Sequence, residues 1–121
     1  MAMRELAVAV RERDGAAIID LQGDVNAAGE AALQGGYAQA VRDGPESVVL
    51  NFAGADYINS TGIALIVGLL AQARAHDVQM TACGLSDHYR EIFEITRLAD
   101  FMTIADSEDG AVSGAERGND A

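Results

Sequence analysis

Leu6, Val8 and Val10 alternate with polar or small residues, the two-residue period of a half-buried strand. Asp14-Gly15 follows, a tight-turn pair because glycine tolerates positive φ, and Ile18, Ile19 and Leu21 make a second strand. The two are predicted to form an N-terminal hairpin. From Ala27 to Val41 the chain is alanine-rich and favours helix. Ala32, Leu33, Tyr37, Ala40 and Val41 share a broad face there, and Asn26 stands at the N-cap position. Gly35-Gly36 opposes that helix by about 1 kcal/mol per glycine, and Gly44-Pro45 ends it. Val48 to Phe52 is a continuous apolar run that suits a central strand covered on both faces. Ala53 to Ile58 reads as a loop, and a helix is predicted from Ser60 to about His76. Val78, Met80 and Ala82 alternate as a further strand. Ser86 is placed to cap a helix running to about Ile95, with Ile92, Phe93 and Ile95 facing inward. A short strand at Phe101 to Ile104 and a short helix at Asp106 to Val112 close the pattern.

The resulting order, β-β-α-β-α-β-α-β-α, is that of an α/β fold. Alternation of strands and helices implies a mostly parallel sheet with right-handed crossovers, and the hairpin makes the N-terminal edge strand antiparallel. The 121 residues suit one domain, assigned here to 1–112. Residues 113–121, small, polar and acidic, are expected to form a disordered tail.

Half of the residues are hydrophobic but only 5% are aromatic, so the core is expected to be built from Ile, Val, Leu and Ala. The net charge of -11 repels phosphate backbones and anionic lipid. Direct nucleic-acid binding and membrane insertion are therefore not expected, and partners with a basic surface are favoured. Cys83, the single cysteine, has no internal disulfide partner. The first residues carry no apolar secretion segment, and the longest apolar run, Ile63 to Ala71, is too short to span a bilayer. A cytoplasmic location is expected.

The helix from Ser60 carries the most information. Ser60 and Thr61 sit where the first N–H groups of a helix have no intrahelical partner. A hydroxyl there can cap them, and the plain alternative is that Ser60 is an N-cap and nothing more. A phosphate there would gain the free N–H donors and the positive end of the helix dipole. Ile63, Ala64 and Ile66 supply more apolar surface than one buried stripe requires, which marks them as docking candidates; Leu65, Val67 and Leu70 suit burial.

Other constellations carry less. His76, Cys83, Asp87 and His88 fit no closed zinc spacing, and read as exposed histidines and a buried strand cysteine. Ser60 lacks the Gly-x-Ser-x-Gly elbow and an evident base for hydrolysis. No Gly-Lys-Ser/Thr phosphate loop is present. No catalytic residue, cofactor or metal is expected, and the chain reads as a non-enzyme. Asp24 and Asp56 can line the groove of Ser60, or stand as solvated loop acids.

The segment Val48-Val-Leu-Asn-Phe-Ala-Gly-Ala-Asp-Tyr-Ile-Asn-Ser-Thr-Gly-Ile-Ala-Leu-Ile resembles the signature of STAS domains, the anti-sigma factor antagonist family. Leu21-Gln-Gly-Asp-Val-Asn resembles that family's Leu-x-Gly-x-Leu-Asp segment, and Phe93 to Ser107 resembles its C-terminal helix–strand segment. The resemblance implies a STAS-type fold and a protein that binds an anti-sigma factor, which releases a sigma factor. It implies that this partner is a serine kinase modifying the motif serine, here Ser60, and that a serine phosphatase reverses the step. Taken with the apolar surface at the helix start, the expected partner-binding site comprises Asn26, Asn59, Ser60, Thr61, Gly62, Ile63 and Ile66, on a monomer or weak homodimer. Asn26, Asn51 and Asn59 stand where the family usually has Asp, and Arg97 replaces a glycine common after the third helix, a change that reads as a minor surface one. STAS domains also occur as free subunits of transport complexes and as scaffolds, which leaves two alternative roles.

Overall fold

The computed structural model describes the backbone of residues 4–118 and side-chain surroundings through residue 113. β1 (Ala7–Arg13) and β2 (Ala16–Val25) form the hairpin, antiparallel from Ala7↔Gln22 to Arg13↔Ala16, with Asp14 and Gly15 turning at positive φ. A 3-10 turn (Ala27–Gly29) leads into α1 (Glu30–Val41). Next come β3 (Ser47–Ile58), α2 (Ser60–Ala75), β4 (Gln79–Cys83) and α3 (Asp87–Ile95). A second 3-10 turn (Leu98–Asp100), β5 (Thr103–Ile104) and α4 (Glu108–Gly118) complete the described chain. The sheet order is β1-β2-β3-β4-β5, with every pair after the hairpin parallel.

Sequential parallel strands joined by right-handed crossovers place their helices on one face. Accordingly Leu33 and Tyr37 of α1, Ile66 and Leu69 of α2 and Phe93 of α3 bury with Ile19, Leu21 and Leu50 in the main core. Gly36 is what lets α1 lie so close to β1: a Cβ there would stand 2.5 Å from Val8 Cγ1. The apparent helix breaker is a packing requirement.

The opposite face has a much smaller core. Ala16, Ile18, Val49 and Cys83 are covered by Ala111 and Val112 of α4. Burying one valine gains about 1.5–3 kcal/mol, while Gly110 and Gly114 together oppose α4 by about 2 kcal/mol. Ala111 and the sheet residues beneath it add to that burial, and charges at the first turn of α4 add a second hold. Glu108 accepts from Arg11 and, at 2.7 Å, from Arg13, and Arg13 also reaches Asp109.

Several sequence expectations need correction. Ala53–Ile58 is not a loop but the second half of β3, pairing with Gln22–Val25 through two register shifts. Those irregularities, with Gly54, Asp56 and an exposed Tyr57, erase the alternation that reveals a strand. Asn26 caps the 3-10 turn rather than α1 itself. Ile95 is 72% exposed, because the inward face of α3 is carried by Phe93. α4 continues through Gly118, past Val112; residues 119–121 of the expected tail lie outside the described residues.

Arg97 is not a minor surface change either. It follows the C-cap Thr96 of α3 at φ 67, ψ 16, the left-handed position that helix ends usually give to glycine. Its ion pair with Asp100 is exposed and offsets little of that strain. Arg97→Gly should therefore stabilise the protein by about 0.5–1 kcal/mol after allowing for glycine's unfolded-state entropy. Urea unfolding checks the sign: a loss of stability would mean the ion pair outweighs the backbone strain.

Candidate functional site

The C-terminal ends of β2 and β3 lie side by side, with Asp24 opposite Tyr57 and Val25 opposite Ile58. Val25 O accepts the N–H of Asn59 at 3.2 Å, and a Cβ on Gly62 would stand only 2.1 Å from the same carbonyl. Any side chain at 62 would push α2 off the sheet. From α3, Tyr89 Oη accepts the N–H of Ile58 at 2.9 Å and so holds the end of β3.

Asn59 caps α2. Its Oδ1 accepts from Gly62 N at 2.8 Å and its carbonyl from Ile63 N at 2.9 Å. Ser60 is thus the first residue of the helix and not its cap, which corrects the capping alternative. Ser60 and Thr61 are exposed, at the positive end of the helix dipole. Asn26, buried just after Val25, accepts from Ala28 N at 3.0 Å. The structure thereby gathers Asn26, Asn59, Ser60, Thr61 and Gly62 around one strand end.

Of the two apolar candidates, Ile63 is half-buried at the surface, but Ile66 is fully buried in the core. Ile66 projects from the sheet-facing side of α2 and is unavailable to a partner in the folded chain. Val67, which the sequence assigns to the interior, is 46% exposed. The outer face of α2 runs through Ser60, Thr61, Ala64, Val67, Gly68 and Ala71, and the helix contains no acid although the chain carries 19.

Two contributors were invisible in the sequence. Arg4 donates its N–H to Asp24 at 3.1 Å and its guanidinium to Asp56 at 2.7 Å, while Asp24 N returns a bond to Arg4 O at 2.9 Å. Of the two acids near Ser60, Asp56 is therefore paired with the Arg4 guanidinium, while Asp24 accepts from the Arg4 backbone. That pair is exposed, so its worth in stability is about 0–1 kcal/mol, and its effect is local neutralisation. Tyr89 is the other, and neither partner separation nor residue type signals its role.

The three asparagines separate by cause. Asn51 donates to Asp20 at 2.8 Å, accepts from Ala53 N at 3.1 Å and faces Cys83 Sγ at 3.7 Å. An aspartate there would set a second carboxylate against Asp20, so its neutrality has a structural reason away from Ser60. The side chains of Asn26 and Asn59 each accept a backbone N–H through Oδ1, a task a neutral amide performs without adding charge beside Ser60. Arg11, with help from Asn51, holds the Asp20 carboxyl below its ordinary range. Burial, reinforced by the carboxylates of Glu108 and Asp20, pushes the Cys83 thiol up to about 11. His76 caps the end of α2 beside Tyr37, and Cys83 is buried on β4; among the described residues no three metal-ligating side chains converge. No described helix is long and apolar enough to cross a membrane.

Compared with known proteins, residues 7–111 match the family model described as the STAS domain. BtrV of Bordetella bronchiseptica, named as an anti-sigma factor antagonist, is 34% identical over 100 residues, covering 83% of this chain and 86% of its own. An anti-sigma factor antagonist from Mycobacterium paratuberculosis shares the fold with a TM-score of 0.78 at 15% identity, over 93% of this chain and 95% of that one. The antagonist SpoIIAA in its unphosphorylated form gives 0.69 at 17% identity, over 93% and 99%.

Asn51→Asp should cost about 1–3 kcal/mol relative to wild type at about pH 7, through repulsion with Asp20. One carboxyl of the pair then holds its proton to a higher pH in the folded chain than in the unfolded one. The lost stability should return below about pH 4 and vanish again as pH rises. Urea unfolding at both pH values tests this; a pH-independent deficit would point to lost packing instead.

Proposed function

The chain belongs to the STAS domain family, among the anti-sigma factor antagonists, and on that premise we propose that it docks an anti-sigma factor on the start of α2 and is released by phosphorylation of Ser60. One observation carries the reading: Ser60 is exposed in the first turn of α2 while Asn59 does the capping. A phosphate can therefore be added without removing a hydrogen bond that the helix needs.

The partner in this reading is an anti-sigma factor that is also a serine kinase and supplies nucleotide and magnesium; a serine phosphatase restores the hydroxyl. The antagonist contributes a surface and an acceptor, with no catalytic group of its own. Thr61, Ile63, Ala64 and Val67 form the uncharged, partly apolar area that a partner can desolvate cheaply. Gly62 holds that turn against the sheet, and Asn26 and Asn59 shape the adjoining loops. A phosphoserine adds roughly -1.5 to -2 charge in the middle of this area, and burying it unpaired opposes docking. When the unmodified protein occupies the anti-sigma factor, the sigma factor is freed for transcription.

With its cognate kinase, mass spectrometry should find phosphate on Ser60 in the wild type and none in Ser60→Ala. Ser60→Asp should weaken anti-sigma binding by about tenfold or more, and Ser60→Ala by less than about threefold, in calorimetry. Ala64→Asp, at an exposed helical position, should weaken binding comparably at unchanged thermal stability. Equal affinity of all three variants would reject the switch on this surface.

A further inference from the structure

We propose that α4 is an electrostatically latched cover that opens as a unit, baring the small apolar face of Ala16, Ile18, Val49 and Cys83 while the sheet and α1–α3 stay folded. The inference is independent of Ser60 and its modification.

The seat of α4 is separate from the main core. Ala111 and Val112 touch only the second cluster, on the far side of the sheet from α1, α2 and α3. A unit that shares little buried surface with the rest can open locally without global unfolding. Its glycines leave it poorly able to persist as a helix once detached.

The remaining hold is ionic and concentrated at one end. Arg11 and Arg13, two apart on β1, project from the same face of the strand. Both engage Glu108; Arg13 also takes Asp109, and Arg11 is shared with Asp20. Glu108 and Asp109 lie in the first turn of α4, where they also complement the helix dipole. Losing the arginines therefore removes the anchor from the turn that starts the helix. The neighbouring hinge is short. Ala105 N still binds Ala82 O of β4 at 2.8 Å, and Ser107 already caps α4 through Gly110 N at 3.0 Å.

Water reaches the latch but not the seat. The Arg11 and Arg13 side chains are 43% and 36% exposed, whereas Cys83 is 1% exposed. Salt screens the former without displacing the latter. As the only cysteine of the chain, Cys83 reports opening directly, because a thiol reagent reaches it when α4 lifts.

The test is the rate at which Cys83 of the full chain reacts with 4,4′-dithiodipyridine, an uncharged reagent whose encounter with the acidic protein salt does not alter, at fixed pH. In the wild type, raising sodium chloride to about 1 M should speed labelling about tenfold. Glu108→Gln should label about tenfold faster than wild type at low salt and lose most of the salt response. Below the unfolding transition the rate should rise with urea far less steeply than global unfolding does, since opening α4 exposes little surface. A salt-insensitive wild-type rate, or an unchanged rate in Glu108→Gln, overturns the ionic latch. A urea slope matching global unfolding overturns the separate opening, and this readout needs no variant.

Discussion

The start of α2 rests on the carbonyl of Val25, and the rest of the site follows from that contact. The helix can approach only because position 62 has no side chain; a Cβ would stand 2.1 Å from the oxygen. The same carbonyl takes the N–H of Asn59, so the end of β2, the end of β3 and the first turn of α2 form one rigid corner. With the cap assigned to Asn59, Ser60 is carried at the outside of that corner. Its hydroxyl is thus not needed for the cap that starts the helix.

The two faces of the sheet divide the labour of stability. The face under α1, α2 and α3 holds the large side chains, including Phe52 against Phe93 with ring centroids 5.8 Å apart. It orders α2 and hence the site. The face under α4 holds a few small residues and a network of arginines and carboxylates. Burial on the first face is not screened by salt, whereas the charge pairs on the second are.

Charge is distributed with the same economy. The chain has 19 acids and eight bases, all of them arginine. The Arg4 guanidinium serves Asp56 beside the site, and Arg11 and Arg13 serve Asp20, Glu108 and Asp109. α2 carries no acid. On so acidic a protein, the outer face of α2 from Ser60 to Ala71 is an uncharged stretch.

Much of this was legible from the chain alone. Alternation at Leu6–Val10, the apolar run at Val48–Phe52 and the helix starting at Ser60 placed the strands, the helices and the motif, because local periodicity records which side of an element is buried. The Asn59-Ser60-Thr61-Gly62 turn was visible for the same local reason. Which of Asn59 and Ser60 caps, and whether Ile66 or Val67 faces outward, depended on how α2 is rotated on the sheet. Arg4 with Asp56 and Tyr89 with Ile58 are contacts between residues far apart in sequence, set by strand register and helix placement. The strand at Ala53–Ile58 owes its form to pairing with β2, and the strain at Arg97 to the backbone that ends α3. Sequence determined the elements and the motif, since propensity and periodicity act over a few residues. Tertiary structure alone decided which side chains the motif presents, because only packing brings distant residues to the same corner.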